Sequence, residues 1–528
     1  MPAADASWCL RTLEVENFRV FDHLSLELDD QLTLLIGKNG SGKTAILEAL
    51  AVALWEPVRE LAGDTKGARN IRIEDVRQRY SNADQTTGRP SSDLMFPVSL
   101  RVDGIFDGQQ MSWQRSRGSR SGKTTSAAKP VKTHFHELGQ IAAGKVDSKE
   151  TVLPVIAFYG VERMTGEVRL TSNVRFSRRS AYDWALDPRA GLNYVSSYFR
   201  QLDSEIIRAA SMGDEVPAGA MRQYKAMEIA AESMLEPLEW KKLRWDPVSK
   251  QMAMKHPKQS FRPLNELPSG AKIAVGLALD IASRMTRANL HLSAEEVLQK
   301  TPGIVLVDEI DLHLHPSWKR LIVPQLRALF PAVQCVLSSH SPQVIATVEA
   351  EKIRAISVDG DVVVPSYAEG LRPEVVLERI QGTDASPPVP VRRELDTYIS
   401  MVYAGDGLTD AAQELRADLD AKLGGAEWEE LLQKQGNRCA YCERSIGLHE
   451  SRRKGYVELL KAATKKARVP ANRQRKSHDV CVGVPIWGSW YREWSVIVAN
   501  YEQIIWARSL FVQYRRYILV TIQHCEWR

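Results

Sequence analysis

Along the first forty residues the apolar positions change rhythm twice. Leu13 to Phe18 reads as a strand; Leu24, Leu26 and Leu28 then alternate with polar positions and run into the apolar block Leu32 to Ile36. The stretch therefore predicts two strands, the second ending in a glycine-rich turn. Lys43 to Trp55 follows at once and is nearly all apolar or small (Ala45, Ile46, Leu47, Ala49, Leu50, Val52, Leu54), which predicts a helix buried against a sheet. Val98 to Arg117 predicts a β-hairpin, with Asp103, Gly104 and Asp107, Gly108 as turn signals. Arg117 to Glu150 is polar, basic and poor in apolar residues, and reads as a mobile surface insertion.

Val155 to Phe158 predicts another short buried strand, and Tyr194 to Glu236 has helical spacing broken at Gly213, Pro217 and Gly219, a helical lobe placed at about residues 165–260. No heptad run persists between the Lys43 turn and Ser269, so a long coiled-coil arm is not expected. Two more strands, Gly303 to Glu309 and Gln334 to His340, end in polar residues, and Pro387, Pro388 and Pro390 mark a linker. Two amphipathic helices follow, near Arg393 to Val402 and Thr409 to Leu423. The expected organisation is one α/β domain over 1–390, a helical linker over 391–435 and a C-terminal segment over 436–528.

The chemistry sits at the strand ends. Gly37-Lys38-Asn39-Gly40-Ser41-Gly42-Lys43-Thr44 fits G-x-x-x-x-G-K-[ST], follows an apolar strand and opens an apolar helix, as a phosphate-binding loop requires. Small residues such as Gly40 and Gly42, with Asn39, let backbone N–H groups wrap phosphates; Lys43 reaches the β- and γ-phosphates, and Thr44 offers its hydroxyl to Mg²⁺. A similar string, Gly118 to Thr124, has its first glycine one residue too close to Gly122 and no apolar strand before it, so it reads as loop. Asp308 and Glu309 close the strand that begins at Gly303: one carboxylate can hold the metal and the next polarise the attacking water. His340 ends the other strand, where it could sense a γ-phosphate or serve as a structural residue.

Composition narrows the class further. Apolar residues make up 44% and charged residues 26% of 528, which is ordinary for a globular protein and excludes collagenous or wholly disordered classes. No apolar run approaches the roughly 18 residues of a membrane span and no signal-like start is present, so a cytoplasmic protein with no membrane partner is expected. Net charge is +5 but uneven: residues 436–528 hold 17 Lys and Arg against 7 Asp and Glu, which leaves the rest of the chain acidic. Such a tail makes nucleic acid a candidate partner. Cys439-x-x-Cys442 in this tail is a candidate zinc pair.

Together these motifs resemble the ABC-type ATPase heads of the SMC, RecF and OLD group. Leu13 to Arg19 looks like its opening strand, Asp308 to Pro316 its Walker B segment and D-loop, and Ser339-His340-Ser341-Pro342 its histidine switch. Leu267-Pro268-Ser269-Gly270, before the apolar helix Ile273 to Met285, resembles its signature segment, although Pro268 and Ala271 depart from the common pattern. The resemblance implies an α/β fold with a mixed sheet, a β-subdomain and a helical lobe. It also implies a head-to-tail dimer closed over ATP and Mg²⁺, in which Ser269 and Gly270 cap the partner's γ-phosphate. A serine there also suits a helix N-cap.

Within the group, Ala157 to Arg163 and Asp280 to Met285 look like segments of the ATPase of Septu-type and retron-linked anti-phage systems, whose usual partner is an HNH nuclease. Gln435 to Glu443 looks like the opening of that nuclease, with Leu459 where a histidine is expected, as in a truncated or degenerate copy. The implied function is an ATP-hydrolysing switch controlling a DNA-cutting effector; the alternative is a RecF-like clamp that binds DNA without cutting it.

Overall fold

The computed structural model describes residues 8–64, 67–81, 91–146, 150–164, 177–189, 192–258, 260–384, 389–404, 406 and 409–423. The chain divides into two units, Met1–Ala385 and Ser386–Arg528.

The first unit begins with β1 (Trp8–Phe18), β2 (Phe21–Glu27) and β3 (Leu32–Gly37). The sequence pattern merges the last two into one strand. Asp29 separates them, because its Oδ1 accepts from the N–H groups of Gln31 and Leu32 at 2.9 Å and turns the chain. Next, β4 (Gln78–Ser81) and β5 (Ser91–Leu94) form a small ribbon. The hairpin follows as β6 (Val98–Phe106) and β7 (Gln109–Arg117), turning at Asp107 and Gly108, both with positive φ. Gly104 is not a turn residue: it lies inside β6, opposite Met111. Adding β8 (Thr125–Ala127) completes an antiparallel sheet in the order β2-β1-β6-β7-β8.

The second sheet carries the motifs. Its strands are β3, β9 (Val155–Tyr159) and, after a small antiparallel sheet of β10 (Lys241–Asp246), β11 (Gln251–Lys255) and β12 (Phe261–Pro263), the strands β13 (Gly303–Val307), β14 (Val333–Ser338), β15 (Ile353–Ile356) and β16 (Val362–Val363). The order is β16-β15-β3-β14-β13-β9; every pairing is parallel except that of the edge strand β16.

Both faces of this sheet are buried, which is why its strands read as continuous apolar runs. Ile304 and Leu306 face one core together with Leu35, Phe158 and Val336, and this core includes α1 (Lys43–Ala53) and the antiparallel sheet. Val305 and Val307 face the other with Leu34, Tyr159 and Leu337. That second core includes α5 (Ala218–Met234) and α6 (Ser269–Ala288), which follow α2 (Trp55–Ala62), α3 (Lys129–Ala142) and α4 (Leu192–Met212) in sequence.

Two expectations need correction. The Arg117–Glu150 stretch is not a mobile insertion over its described part: it forms β8 and α3. Val131, Phe135, Leu138 and Ala142 recur at one face of α3 and are buried in the first core, so a few well-spaced apolar residues suffice to fix a polar sequence. The lobe expected to be helical also contains the sheet of β10 to β12, whose Leu243, Met252 and Met254 join the second core.

The second unit's described part is a pair of helices, residues 390–404 and 410–423, close to the expected bounds. Leu395, Tyr398, Ala412 and Leu419 pack between them, and Lys422 bridges to Glu394 at 2.8 Å. Cys439, Cys442 and the basic tail lie outside the described residues.

Candidate nucleotide-hydrolysis site

Three adjacent parallel strands, β3, β14 and β13, deliver the three motifs to one edge of the sheet, since all point the same way and each ends in its polar residues. The loop after β3 is set by Gly37, Gly40 and Gly42, all at positive φ. A Cβ on Gly37 would meet the Ile356 carbonyl oxygen at 2.4 Å, and one on Gly42 the Phe21 ring at 2.3 Å, so neither position admits another residue without movement. Around Gly40 there is open space. Gly42 caps α1, whose first residue is Lys43.

Lys43 is buried, and its ammonium donates to the carbonyl oxygens of Gly37 and Lys38 at 3.0 Å. Burial lowers its pKa, and the carboxylates of Asp308 and Glu309 oppose that shift. Thr44 Oγ1 donates to Asp308 Oδ2 at 2.8 Å, and Ser338 Oγ donates to Asp308 Oδ1 at 2.6 Å. The same Ser338 hydroxyl accepts from the Glu309 N–H at 2.8 Å. One step on, Ser339 Oγ donates to Asp311 Oδ1 at 2.6 Å, and Lys319 pairs with Asp311 at 3.1 Å. The end of β14 therefore holds both aspartates of the Asp308–Asp311 turn.

Glu309 follows in the left-handed region at φ 47°, which is costly for a residue with a side chain. His340 follows Ser339; burial first, and the nearby Lys43 charge second, hold its imidazole below the usual pKa of 6.5. Ser269 is the first residue of α6, the cap position being Pro268, and no side-chain cap bond is present there. Ser269 is exposed, while Gly270 is buried against His313 and Leu314. The structure thus brings Lys43, Thr44, Asp308, Glu309 and His340 together, and sets Ser269 and Gly270 beside the His313 turn. Asn39 and Gly40 lie on the exposed rim of the loop.

The residues present fit a nucleotide with its metal. Ser41 Oγ is buried in the loop with no protein partner, the loop is open at Gly40, and Thr44 with Asp308 supplies the hydroxyl and carboxylate oxygens that Mg²⁺ prefers. Among the described residues no cluster of three or more His, Cys, Asp or Glu could hold a metal, so the zinc expectation gains no support.

Spacing alone did not expose the roles of Ser338 and Ser339 as ligands of the acidic turn. A second buried network was also missed: Tyr159 donates to Asp280 at 2.6 Å, and Arg284 pairs with the same oxygen at 2.8 Å. It joins β9, next to β13, to the helix that starts at Ser269.

Fold and site together define a P-loop ATPase built on a mixed sheet with helices on its faces. Two family models agree: one described as "AAA domain" matches residues 12–231, and one described as "AAA domain, putative AbiEii toxin, Type IV TA system" matches residues 170–346. The chain is similar to the retron Vc95 probable ATPase of Vibrio cholerae, at 25% identity over 66% of this chain and 73% of the relative. It is also similar to the retron Ec83 probable ATPase of Escherichia coli, at 23% over 78% and 83%. The Septu protein PtuA of Bacillus mycoides matches at 23% over 62% of this chain but 36% of its own length. Among solved structures, the SMC head domain of Thermotoga maritima aligns over 66% of this chain and 94% of its own, at 12% identity and a TM-score of 0.35.

Proposed function

We propose that this ATPase is a nucleotide-driven switch: it closes as a head-to-tail dimer over ATP and thereby controls a DNA-cutting effector of an anti-phage system. The single observation that carries the reading is the Thr44–Asp308–Ser338 chain of hydrogen bonds, which ties the phosphate loop to both catalytic strand ends. Lys43 and the loop N–H groups neutralise and orient the phosphates. Thr44 and Asp308 would hold Mg²⁺, which when bound would supply positive charge beside the phosphoryl oxygens. Glu309 accepts a proton from the attacking water, and its backbone, fixed by Ser338, aims the carboxylate. His340, neutral near pH 7, can donate an N–H to the γ-phosphate or its leaving form.

Closure as a dimer is supported by the exposed Ser269, whose neighbour Gly270 packs against the backbone of the exposed His313, leaving Ser269 open to a second protomer's phosphates. The effector is an HNH-type nuclease, supplied in trans or by the tail with Cys439 and Cys442 as zinc ligands. The retron and Septu relatives support the defence setting.

A RecF-like DNA clamp is the second reading. It is favoured by short matches of higher identity to the DNA replication and repair protein RecF, 42% over 67 residues and 13% of this chain in Rickettsia canadensis. No helix among the described residues is long and apolar enough to cross a membrane.

Plasmid nicking by the purified chain, with Mg²⁺ or Mn²⁺ and with or without ATP, separates the readings. Nicking that disappears in Cys439→Ala/Cys442→Ala assigns the cutting to the tail. ATP hydrolysis with DNA retention and no nicking, even after addition of a purified HNH-type nuclease, supports the clamp.

A further inference from the structure

His340 is held from an unexpected direction. The Gln381 side chain donates through Nε2 to the His340 carbonyl oxygen at 2.9 Å. A carbonyl can only accept, so this contact requires the donor end of the amide. Gln381 closes a single π turn, Val376–Ile380, a conformation that is rare and recurs at functional positions.

The turn is firmly built. Val376 is fully buried in the second core, and Leu371 and Ile380 pack against it. The Gln381 N–H returns to the Val376 carbonyl at 3.0 Å, and Gly382, at φ 60°, lets the Thr383 N–H return to Leu377 at 2.9 Å. The first unit ends at Ala385, and this turn is the last one described in it.

We propose that Gln381 is a positioning residue for His340, and that this one hydrogen bond couples nucleotide occupancy to the turn at the exit of the ATPase unit. The inference rests on His340 meeting the γ-phosphate. The peptide before His340 is fixed to the sheet, since the Ser339 N–H donates to the Leu35 carbonyl at 3.1 Å and its hydroxyl is committed to Asp311. The peptide that carries the His340 carbonyl is held at both ends, its oxygen by Gln381 and its N–H, that of Ser341, by Ser339 Oγ at 3.0 Å, which leaves freedom at His340 to the side chain. A γ-phosphate contact that rotates His340 pulls on the turn; a displaced turn, conversely, misplaces the sensor.

Hydrogen-exchange mass spectrometry on the full chain, with and without a non-hydrolysable ATP analogue, tests this. The wild type should show exchange at residues 376–384 changing severalfold with the analogue, because the Gln381 and Thr383 amides report opening of the turn. In Gln381→Met that change should vanish while the phosphate-loop peptide stays protected by the analogue. Steady-state kcat should fall about two- to tenfold, the worth of one neutral hydrogen bond, with KM unchanged. Gln381→Lys, which restores a donor, should recover most of it. An unchanged nucleotide response in Gln381→Met, or a Gln381→Lys variant as impaired as Gln381→Met, would overturn the proposal. If the phosphate loop of the wild type gains no protection from the analogue, the ATP-site reading falls, and this inference with it.

Discussion

Thr44 and Asp308, 264 residues apart, meet in a 2.8 Å hydrogen bond across the end of β14. The strand between them is not a spacer: its Ser338 occupies the other carboxylate oxygen of Asp308 and the backbone N–H of Glu309. Asp308 and the Glu309 backbone are thus tied to one hydroxyl, and the phosphate loop joins them through Asp308.

Ser338→Ala removes one donor from Asp308 and one acceptor from the Glu309 N–H, at a cost of about 1–3 kcal/mol. We expect turnover to fall about tenfold and the Mg²⁺ dependence of ATP hydrolysis to shift to higher concentration, with Ser338→Thr close to wild type. A metal titration of the ATPase rate checks this; an unshifted titration would remove Ser338 from the metal site.

Glu309→Gln keeps shape and removes the base. Turnover should drop by about two to four orders of magnitude while ATP stays bound. Light scattering should then show a dimer with ATP and a monomer without it. A variant that turns over ATP at the wild-type rate would refute the role given to Glu309.

The depressed pKa of His340 makes a prediction with a definite sign. The folded state binds fewer protons than the unfolded one, so stability is lost as pH falls from about 6.5 toward the folded value, and no slope arises from this group above neutrality. Urea midpoints measured between pH 7.5 and 5.5 should decline more steeply in the wild type than in His340→Asn. Equal slopes would mean that the imidazole is not held neutral.

Asp280 sits fully buried between Tyr159 and Arg284. Asp280→Ala leaves the Arg284 charge buried without its carboxylate and should cost about 3–5 kcal/mol, whereas Tyr159→Phe should cost about 1–2 kcal/mol. Chemical denaturation monitored by tryptophan fluorescence distinguishes the two; similar small losses would show that the network is slack.

Phe135→Ala tests whether α3 belongs to the core. Phe135 is fully buried and packs edge-on to Trp8 and Phe106, with centroids 5.8 and 5.2 Å away. A loss of about 3–5 kcal/mol is expected, against almost none for a mobile loop.

The sequence by itself determined the phosphate loop, the two acidic residues and the histidine, because each stands at the end of an apolar strand and such runs are local signals. It determined most strands and helices of the sheet for the same reason. It joined β2 to β3, since a turn made by one Asp29 carboxylate leaves no gap in apolar content, and it took α3 for loop because four buried residues are diluted among polar ones. Tertiary structure alone decided the rest. That β14 lies between β3 and β13, and so hands Ser338 to Asp308 and Ser339 to Asp311, follows from strand order, which no local pattern encodes. The pairings of Tyr159 with Asp280 and of Gln381 with His340 are of the same kind: hydrogen bonds between residues 121 and 41 positions apart exist only once the sheet has placed their partners.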